Sequence, residues 1–240
     1  MKKVLFMAFA VVGAANAMAD WSEGFETLVG DTGWDLGTTI TYGNSGATNM
    51  NFSASGVWVA RNDSLPVGTT GWFSNPSVFN QGAHGGTESA CANFNNTTGT
   101  NTINNWLMTP VITMATGATV SFWTRTVNTP AFPDRLKVSY SSNGASIAAG
   151  DFSNLIVDIN AGLTTAGYPT QWTQFTYTNT GAAWTGRVGF NYLVTNGGPS
   201  GANSDFIGID DVAYTAAVPE PATMAALGLG VAALLRRRRK

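Results

Sequence analysis

Apolar and polar side chains alternate along two stretches of this chain, residues 135–140 and 188–194. A period of two residues is typical of a half-buried β-strand, because successive side chains point to opposite faces of a sheet. Three further stretches, 120–125, 155–159 and 206–214, are short and rich in β-branched and aromatic residues. Since no segment before residue 218 keeps a helical period, the pattern predicts an all-β fold, an antiparallel β-sandwich.

Turn-forming residues separate these predicted strands. Asn143-Gly144, shortly after the first alternating stretch, is the strongest short-range signal for a hairpin. Three segments rich in Asn, Gly and Thr are predicted loops: 41–56, 80–104 and 196–204. About 200 residues are enough for one large sandwich, and the chain has no internal repeat. We therefore expect residues 20–217 to form one domain.

The first 19 residues have the composition of a secretory signal peptide. Lys2 and Lys3 provide a positive start, residues 4–15 are apolar, and Ala17-Met18-Ala19 fits a cleavage site of small residues. We expect the exported chain to begin at Asp20.

The last 23 residues combine three features in order: Val218-Pro219-Glu220-Pro221, an uncharged stretch at 222–235, and five cations at 236–240. As a helix the uncharged stretch would span about 21 Å, whereas a bilayer core is about 30 Å thick. The basic end favours the cytoplasmic side of a membrane. The pattern predicts a short C-terminal transmembrane helix, and a permanent single-span anchor is an open alternative.

This tail resembles the PEP-CTERM sorting signal of Gram-negative bacteria, and the resemblance covers residues 218–240. It implies an exosortase that processes the chain near the motif Pro219, Glu220 and Pro221. The chain would cross the inner membrane, remain anchored there transiently, and then reach the cell surface or the extracellular space.

Charge excludes one class of partner. Residues 20–220 contain fourteen acidic and five basic side chains, a net charge of −9, against −2 for the whole chain. Nucleic-acid binding requires a strongly basic surface, so nucleic acid is not expected as a partner. The single cysteine, Cys91, excludes an intrachain disulfide and is predicted to be a buried small hydrophobe.

Several short motifs follow one another in the domain: Gly24-Phe25-Glu26, Trp34, Trp106-Leu107-Met108-Thr109-Pro110, Phe122-Trp123, Leu136-Lys137-Val138-Ser139-Tyr140-Ser141, Trp172-Thr173 and Ile209-Asp210-Asp211-Val212. In the order and spacing of these motifs the domain resembles a choice-of-anchor J domain, a family similar to cleaved-adhesin and MAM-like domains. The resemblance implies a galactose-binding-like jelly roll with no single known activity.

The same resemblance implies a structural calcium ion between the first and last strands, at Glu26 and the pair Asp210 and Asp211. Calcium takes six to eight oxygen ligands, mostly carboxylates and carbonyls. Adjacent side chains of a strand point to opposite faces, so both aspartates can serve only if a bulge redirects one of them. Asp211 is the preferred ligand and Asp210 the reserve, and solvated strand-end carboxylates are the alternative.

Tryptophans near Gly/Asn-rich loops suggest a glycan-binding platform. Sugars stack on flat aromatic faces, and Trp58, Trp72 and Trp184 are the candidates. The alternative is that these rings fill the core. Trp106, Trp123 and Trp172 belong to the domain motifs and are predicted core residues.

No catalytic pattern is evident in the sequence. His84 is the one histidine, no G-x-S-x-G motif is present, and a zinc site needs more His or Cys ligands. We expect His84 to be a solvated or turn residue and the protein not to be an enzyme; a hydrolase with a pair of surface carboxylates stays open.

These observations favour an exported, non-enzymatic surface or extracellular matrix protein associated with exopolysaccharide and biofilm. The alternative is a carbohydrate- or protein-binding adhesin module.

Overall fold

Two antiparallel sheets form the structure of this chain. The computed structural model describes residues 19–26, 48–52, 56–74 and 82–218. The strands in this part are, in chain order, β1 (Trp21–Glu23), β2 (Thr48–Phe52), β3 (Gly56–Asn62), β4 (Phe73–Ser74), β5 (Ala90–Asn93), β6 (Ile103–Met108), β7 (Ile112–Met114), β8 (Thr119–Thr126), β9 (Leu136–Ser141), β10 (Asn154–Ile159), β11 (Thr173–Thr178), β12 (Trp184–Val194) and β13 (Phe206–Thr215).

The first sheet has the strand order β11–β8–β13–β5–β4, and β1 also pairs with β13. The first half of β13 pairs with β5, where Phe206 lies opposite Asn93. Its second half pairs with β1, where Val212 lies opposite Glu23. The first strand therefore lies beside the last one, and the chain that leaves β1 runs close to the middle of β13.

The second sheet has the order β10–β9–β12–β6–β3–β2, and β7 pairs with the start of β12. In β12 the residues Val188, Phe190 and Tyr192 face the first sheet, and the residues between them face outward. This alternation is the one that the sequence predicts for 188–194.

Aromatic rings fill the space between the sheets. Trp58 stacks on Phe190 with ring centroids 6.5 Å apart, and Phe122 meets Phe190 edge-on at 5.0 Å. Phe25 closes one end of the core and contacts Trp58 at 5.2 Å. All four side chains are buried, and such large rings contribute much of the hydrophobic stabilisation of a core.

A second, smaller apolar cluster lies on the outer face of the second sheet. It contains Val59, Trp106 and Met108, and Phe152 packs over them. Phe152 belongs to residues 142–153, the connection between β9 and β10. This segment therefore covers part of a sheet face that would otherwise be open to solvent.

The structure confirms the predicted sandwich and corrects some of the predicted loops. The strands expected at 120–125, 135–140, 155–159, 188–194 and 206–214 are present. The predicted loop 41–56 is wrong, because it contains β2, and the predicted loop 80–104 contains β5 and the start of β6. β2 is only five residues long and lies in an Asn-rich segment, although Met50 and Phe52 alternate with Asn49 and Asn51. In β5 both faces are buried, so no alternation marks it.

The hairpin signal at Asn143-Gly144 marks a turn but not a tight hairpin. Gly144 has a positive φ of 52°, and β9 and β10 do pair. The chain, however, takes twelve residues, 142–153, to return, including a 3-10 turn at Ala149–Asp151.

The predicted signal peptide and the predicted transmembrane helix lie outside the described residues. Within the described residues, no helix has the length and apolar character that a membrane span requires. Cys91 is buried in a small cluster with Phe206, as expected for a small hydrophobe.

Candidate functional site: an acidic bulge beneath an aromatic-bound loop

The last strand carries a β-bulge at Asp211. Asp210 pairs with Trp123 of β8, whereas Ala213 pairs with Ser121, so β13 has one extra residue in this interval. Asp211 has a φ of +43°, in the left-handed region that non-glycine residues rarely adopt. Such bulges redirect a side chain at the expense of local strain.

The bulge turns both aspartates toward one loop, residues 82–88. Asp210 Oδ2 accepts hydrogen bonds from the backbone N–H of His84 (2.7 Å) and of Gly85 (3.2 Å). Asp211 Oδ2 lies 2.6 Å from the imidazole Nδ1 of His84. The sequence analysis requires a bulge for both aspartates to point the same way, and the structure contains this bulge.

Glu26 holds the other end of the same loop. Both its carboxylate oxygens accept from the backbone N–H of Thr87 at 2.9 Å, and Oε2 also accepts from the Thr87 hydroxyl at 2.8 Å. A Cβ atom on Gly86 would lie 2.0 Å from Glu26 Oε1, and Gly86 has a φ of +59°. Only glycine fits at this position without moving Glu26.

His84 is stacked between the loop and the sheet. Its ring is parallel to that of Trp123 with centroids 3.8 Å apart, and Trp172 meets it edge-on at 6.1 Å. His84 is exposed and lies in a bend, as the sequence predicts, and one face of its ring packs on the outer face of the first sheet. The prediction that Trp123 and Trp172 are core residues is wrong, since both are half-buried on that face.

Burial controls the ionisation of Asp210. Its side chain is fully buried, and this burial raises the pKa of Asp210 to about 7, although three backbone N–H groups favour the charged form. A second buried carboxylate, Asp134, lies away from the bulge. It accepts hydrogen bonds from the hydroxyl groups of Tyr192 and Thr126. Burial likewise raises the pKa of Asp134 to about 6.

The three carboxylates differ in their fit to a cation. A methyl group on Gly24 would contact both Asp211 Oδ1 (3.5 Å) and Glu26 Oε1 (3.8 Å), so these two oxygens approach the same point. Both oxygens of Asp210 and both oxygens of Glu26 accept backbone N–H groups, but Asp210 is fully buried whereas Glu26 is exposed. Within the described residues, no group of three or more His, Cys, Asp or Glu side chains forms a metal-binding arrangement. Glu26 and Asp211 fit a hard cation in charge and donor type, and calcium stays a prediction.

The predicted tryptophan platform requires correction. Trp58 and Trp72 are fully buried, so neither can offer a face to a sugar. Both rings fill the core, the alternative that the sequence left open. Trp184 is half-buried at the start of β12, where it stacks on Tyr140 with centroids 4.2 Å apart. Trp106 is buried as predicted, although in the outer cluster and not between the sheets.

The fold and its exported context define a surface β-sandwich module. The Cleaved Adhesin Domain model matches residues 67–189, about half of the chain, and this chain belongs to that family. Residues 217–240 match the PEP-CTERM protein-sorting motif, as the tail resemblance implied. The protein is therefore an exported cell-surface protein, and its domain family consists of non-catalytic modules.

Several solved structures are similar to this chain. The K2 cleaved adhesin domain of Lys-gingipain is 19% identical, covers 82% of this chain and 99% of its own, and has a TM-score of 0.49. The K1 cleaved adhesin domain of Lys-gingipain from Porphyromonas gingivalis W83 is 18% identical, and the match covers 68% of this chain and 91% of that domain, with a TM-score of 0.46. TmCBM61 in complex with beta-1,4-galactotriose is 16% identical, and the match covers 66% of this chain and 88% of that protein, with a TM-score of 0.40. No curated protein sequence matches the chain.

Proposed function

We propose that this is an exosortase-processed surface protein that associates with exopolysaccharide and helps to retain the extracellular matrix or biofilm. The observation that carries the proposal is the union of an adhesin-family domain with a PEP-CTERM tail in one exported chain. An adhesin domain binds, and the tail delivers it to the surface where polysaccharide accumulates. Processing near Pro219, Glu220 and Pro221 follows transient anchoring in the inner membrane.

The role is one of binding and not of catalysis. Asp211 contacts His84 Nδ1, as the carboxylate of a catalytic triad contacts its histidine, so the presence of a nucleophile beside the ring decides the matter. Within the described residues no hydroxyl or thiol is hydrogen-bonded to this imidazole, so the chain lacks the nucleophile–base pair of an acyl-transfer site there.

Calcium has a stabilising role in this proposal. Glu26 and Asp211 supply carboxylate ligands, and the ion would tie the end of β1 to the bulge in β13. A ligand that binds the folded state alone stabilises it by mass action. Asp210 would not bind the ion, but would position the loop by accepting hydrogen bonds from the backbone N–H groups of His84 and Gly85.

A protein- or carbohydrate-binding adhesin that works through one aromatic position is the second candidate. The half-buried Trp184, stacked on Tyr140, favours it. Replacing Trp184 with Ala would abolish binding in this case and leave the buried core intact.

Deletion in the host tests the main proposal. We expect the deletion strain to retain less polysaccharide on its cells, and the wild-type gene to restore it. A gene encoding Pro219→Ala and Pro221→Ala should fail to restore it, because the domain is made but not delivered. Unchanged matrix retention in the deletion strain would contradict the proposal.

A further inference from the structure

Four of the five cations in residues 20–217 lie on one side of the molecule. Arg61, Lys137 and Arg187 occupy outward positions on β3, β9 and β12, since their chain neighbours pack in the core. Arg135 precedes Lys137 by two residues and shares its side of the chain. Arg125 alone belongs to the first sheet. A strongly acidic stretch thus concentrates its positive charge on the outer face of the second sheet.

Part of this charge is not neutralised. Arg61 pairs with Asp63 at 2.5 Å, and Arg135 pairs with Asp158 at 2.7 Å, both within the same sheet region. Lys137 takes part in none of the ion pairs that the described residues form. Lys137 is half-buried, so part of its side chain is open to solvent on this face.

Lys137 belongs to a row of side chains that crosses five strands. Asp158 of β10 lies opposite Lys137, and both of its carboxylate oxygens accept hydrogen bonds from Arg135. Asn191 of β12 lies opposite Lys137 of β9. Trp106 of β6 lies opposite Asn191, and Arg61 of β3 lies opposite Trp106. Directly opposed residues have Cβ atoms about 5 Å apart, so the two neutral side chains are flanked closely by two cations.

Hydrogen-bonding groups in and beside this row have no partner. Trp106 Nε1, Asn191 Oδ1 and Ser139 Oγ are buried and form no hydrogen bond in the described structure. Their residues are at most 6% exposed. Ser139 is the diagonal neighbour of Asn191, about 7–8 Å away. Nearly all buried polar groups in proteins are bonded, so a donor, an acceptor and a hydroxyl left together point to a polar ligand.

The row has one closed and one open side. On the closed side Phe152 lies over Gly189, where an added Cβ would come within 2.8 Å of its ring. On the other side lie Leu193 and Asn104, both half-buried. Asn104 Oδ1 is a further buried acceptor without a partner.

We propose that the row Lys137–Asn191–Trp106–Arg61 is a binding site for an acidic glycan, a polysaccharide whose sugars carry carboxylates. Lys137 binds the carboxylate, and sugar hydroxyls bond Asn191 Oδ1, Trp106 Nε1 and Ser139 Oγ. Because these three atoms are buried, the ligand reaches them only after side chains on this face move aside. The site rests on the polysaccharide association proposed above and names its chemistry.

Calorimetric titration of the purified full-length protein with polygalacturonate tests this site. The matched ligand is the same polymer after reduction of its carboxylates to alcohols. We expect binding to polygalacturonate that weakens with salt, and at least tenfold weaker binding to the reduced polymer. Equal affinity for the two polymers would overturn the proposal, as would equal affinity for a single-stranded DNA of similar length, which would indicate generic polyanion binding.

Variants locate the site. Lys137→Gln should weaken binding about tenfold or more, because a hydrogen-bonded charge is lost, while Lys137→Arg should retain it. Trp106→Phe keeps an aromatic ring in the outer cluster, although a smaller one, but removes the donor and should weaken binding several-fold. Thr176→Ala, on the exposed face of the first sheet, is the control and should bind as the wild type does. Wild-type affinity of the Lys137→Gln variant would overturn the proposal, and this surface change does not threaten the fold.

One comparison distinguishes failure of this site from failure of the proposed function. If the wild type and Lys137→Gln bind the host's own extracellular polysaccharide with the same affinity, the proposed function stands and the proposed site is wrong. A protein that binds neither this polysaccharide nor polygalacturonate refutes both.

Discussion

Asp210 and Asp211 are adjacent in the chain, and yet both contact His84. Asp210 accepts from the His84 backbone, and Asp211 contacts its imidazole. Neighbouring residues of a regular strand would point to opposite faces. The left-handed backbone of Asp211 removes this alternation, and the bulge thereby joins the last strand to the 82–88 loop.

Calcium should stabilise the wild-type protein. We expect the melting temperature of the full-length protein to be higher in millimolar calcium than in EDTA, because the ion binds the folded state alone. Asp211→Asn should remove most of the difference, whereas Asp158→Asn, on the other sheet, should keep it. Identical melting temperatures of the wild type in calcium and EDTA would rule out the stabilising ion.

Stability should fall as the pH rises toward neutrality. Burial raises the pKa of Asp210 to about 7 and that of Asp134 to about 6, both from 3.8. Between about pH 4 and pH 7 the folded protein binds more protons than the unfolded chain, so the free energy of unfolding decreases with pH. One such group contributes at most about 1.4 kcal/mol per pH unit.

Urea unfolding between pH 4.5 and 8 in EDTA measures this slope. Asp210→Asn should flatten the decrease and leave the smaller contribution of Asp134. A slope that is the same in the wild type and in Asp210→Asn would show that Asp210 does not titrate in this range.

Two glycines of the loop should respond differently to alanine. Gly82 and Gly86 both have positive φ, at 69° and 59°, but no heavy atom lies within 4 Å of a Cβ on Gly82. Gly82→Ala should cost about 1 kcal/mol of backbone strain. Gly86→Ala should cost at least about 1 kcal/mol more, because Glu26 must leave its hydrogen bonds to Thr87. Equal unfolding free energies of the two variants would contradict the position of Glu26.

Trp58 should matter for stability to a greater extent than Trp184. Trp58→Ala removes a fully buried ring that contacts Phe25 and Phe190, and a loss of about 3–5 kcal/mol is expected. Trp184→Ala removes a half-buried ring and should cost less. Denaturant unfolding compares them, and a Trp58→Ala protein as stable as the wild type would show that this ring is not in the core.

Long strands with one buried face could be predicted from the sequence, and short or two-sided ones could not. The inward residues of β9 and β12 alternate with polar ones, so their period is visible. β5 is buried on both faces and only four residues long, and it lies within an Asn- and Gly-rich segment. Tertiary pairing with β13, and not local pattern, makes it a strand.

The acidic site was predictable in its members but not in its geometry. Glu26 and the two aspartates could be named from motifs, and the structure brings them to one loop. The redirection of Asp211 depends on a positive φ that its sequence does not signal. The stacking of His84 on Trp123 joins residues 39 positions apart. No local pattern marks such a contact, because it depends on how the 82–88 loop packs on the first sheet.

Titration of the full-length protein with the host's own extracellular polysaccharide, by calorimetry in calcium and in EDTA, tests the central claim most directly. We expect saturable binding in both conditions, because the proposed glycan site lies on the second sheet and the 82–88 loop lies on the first. Absence of binding in both conditions would contradict the proposed association with exopolysaccharide and would direct attention to protein partners at the surface.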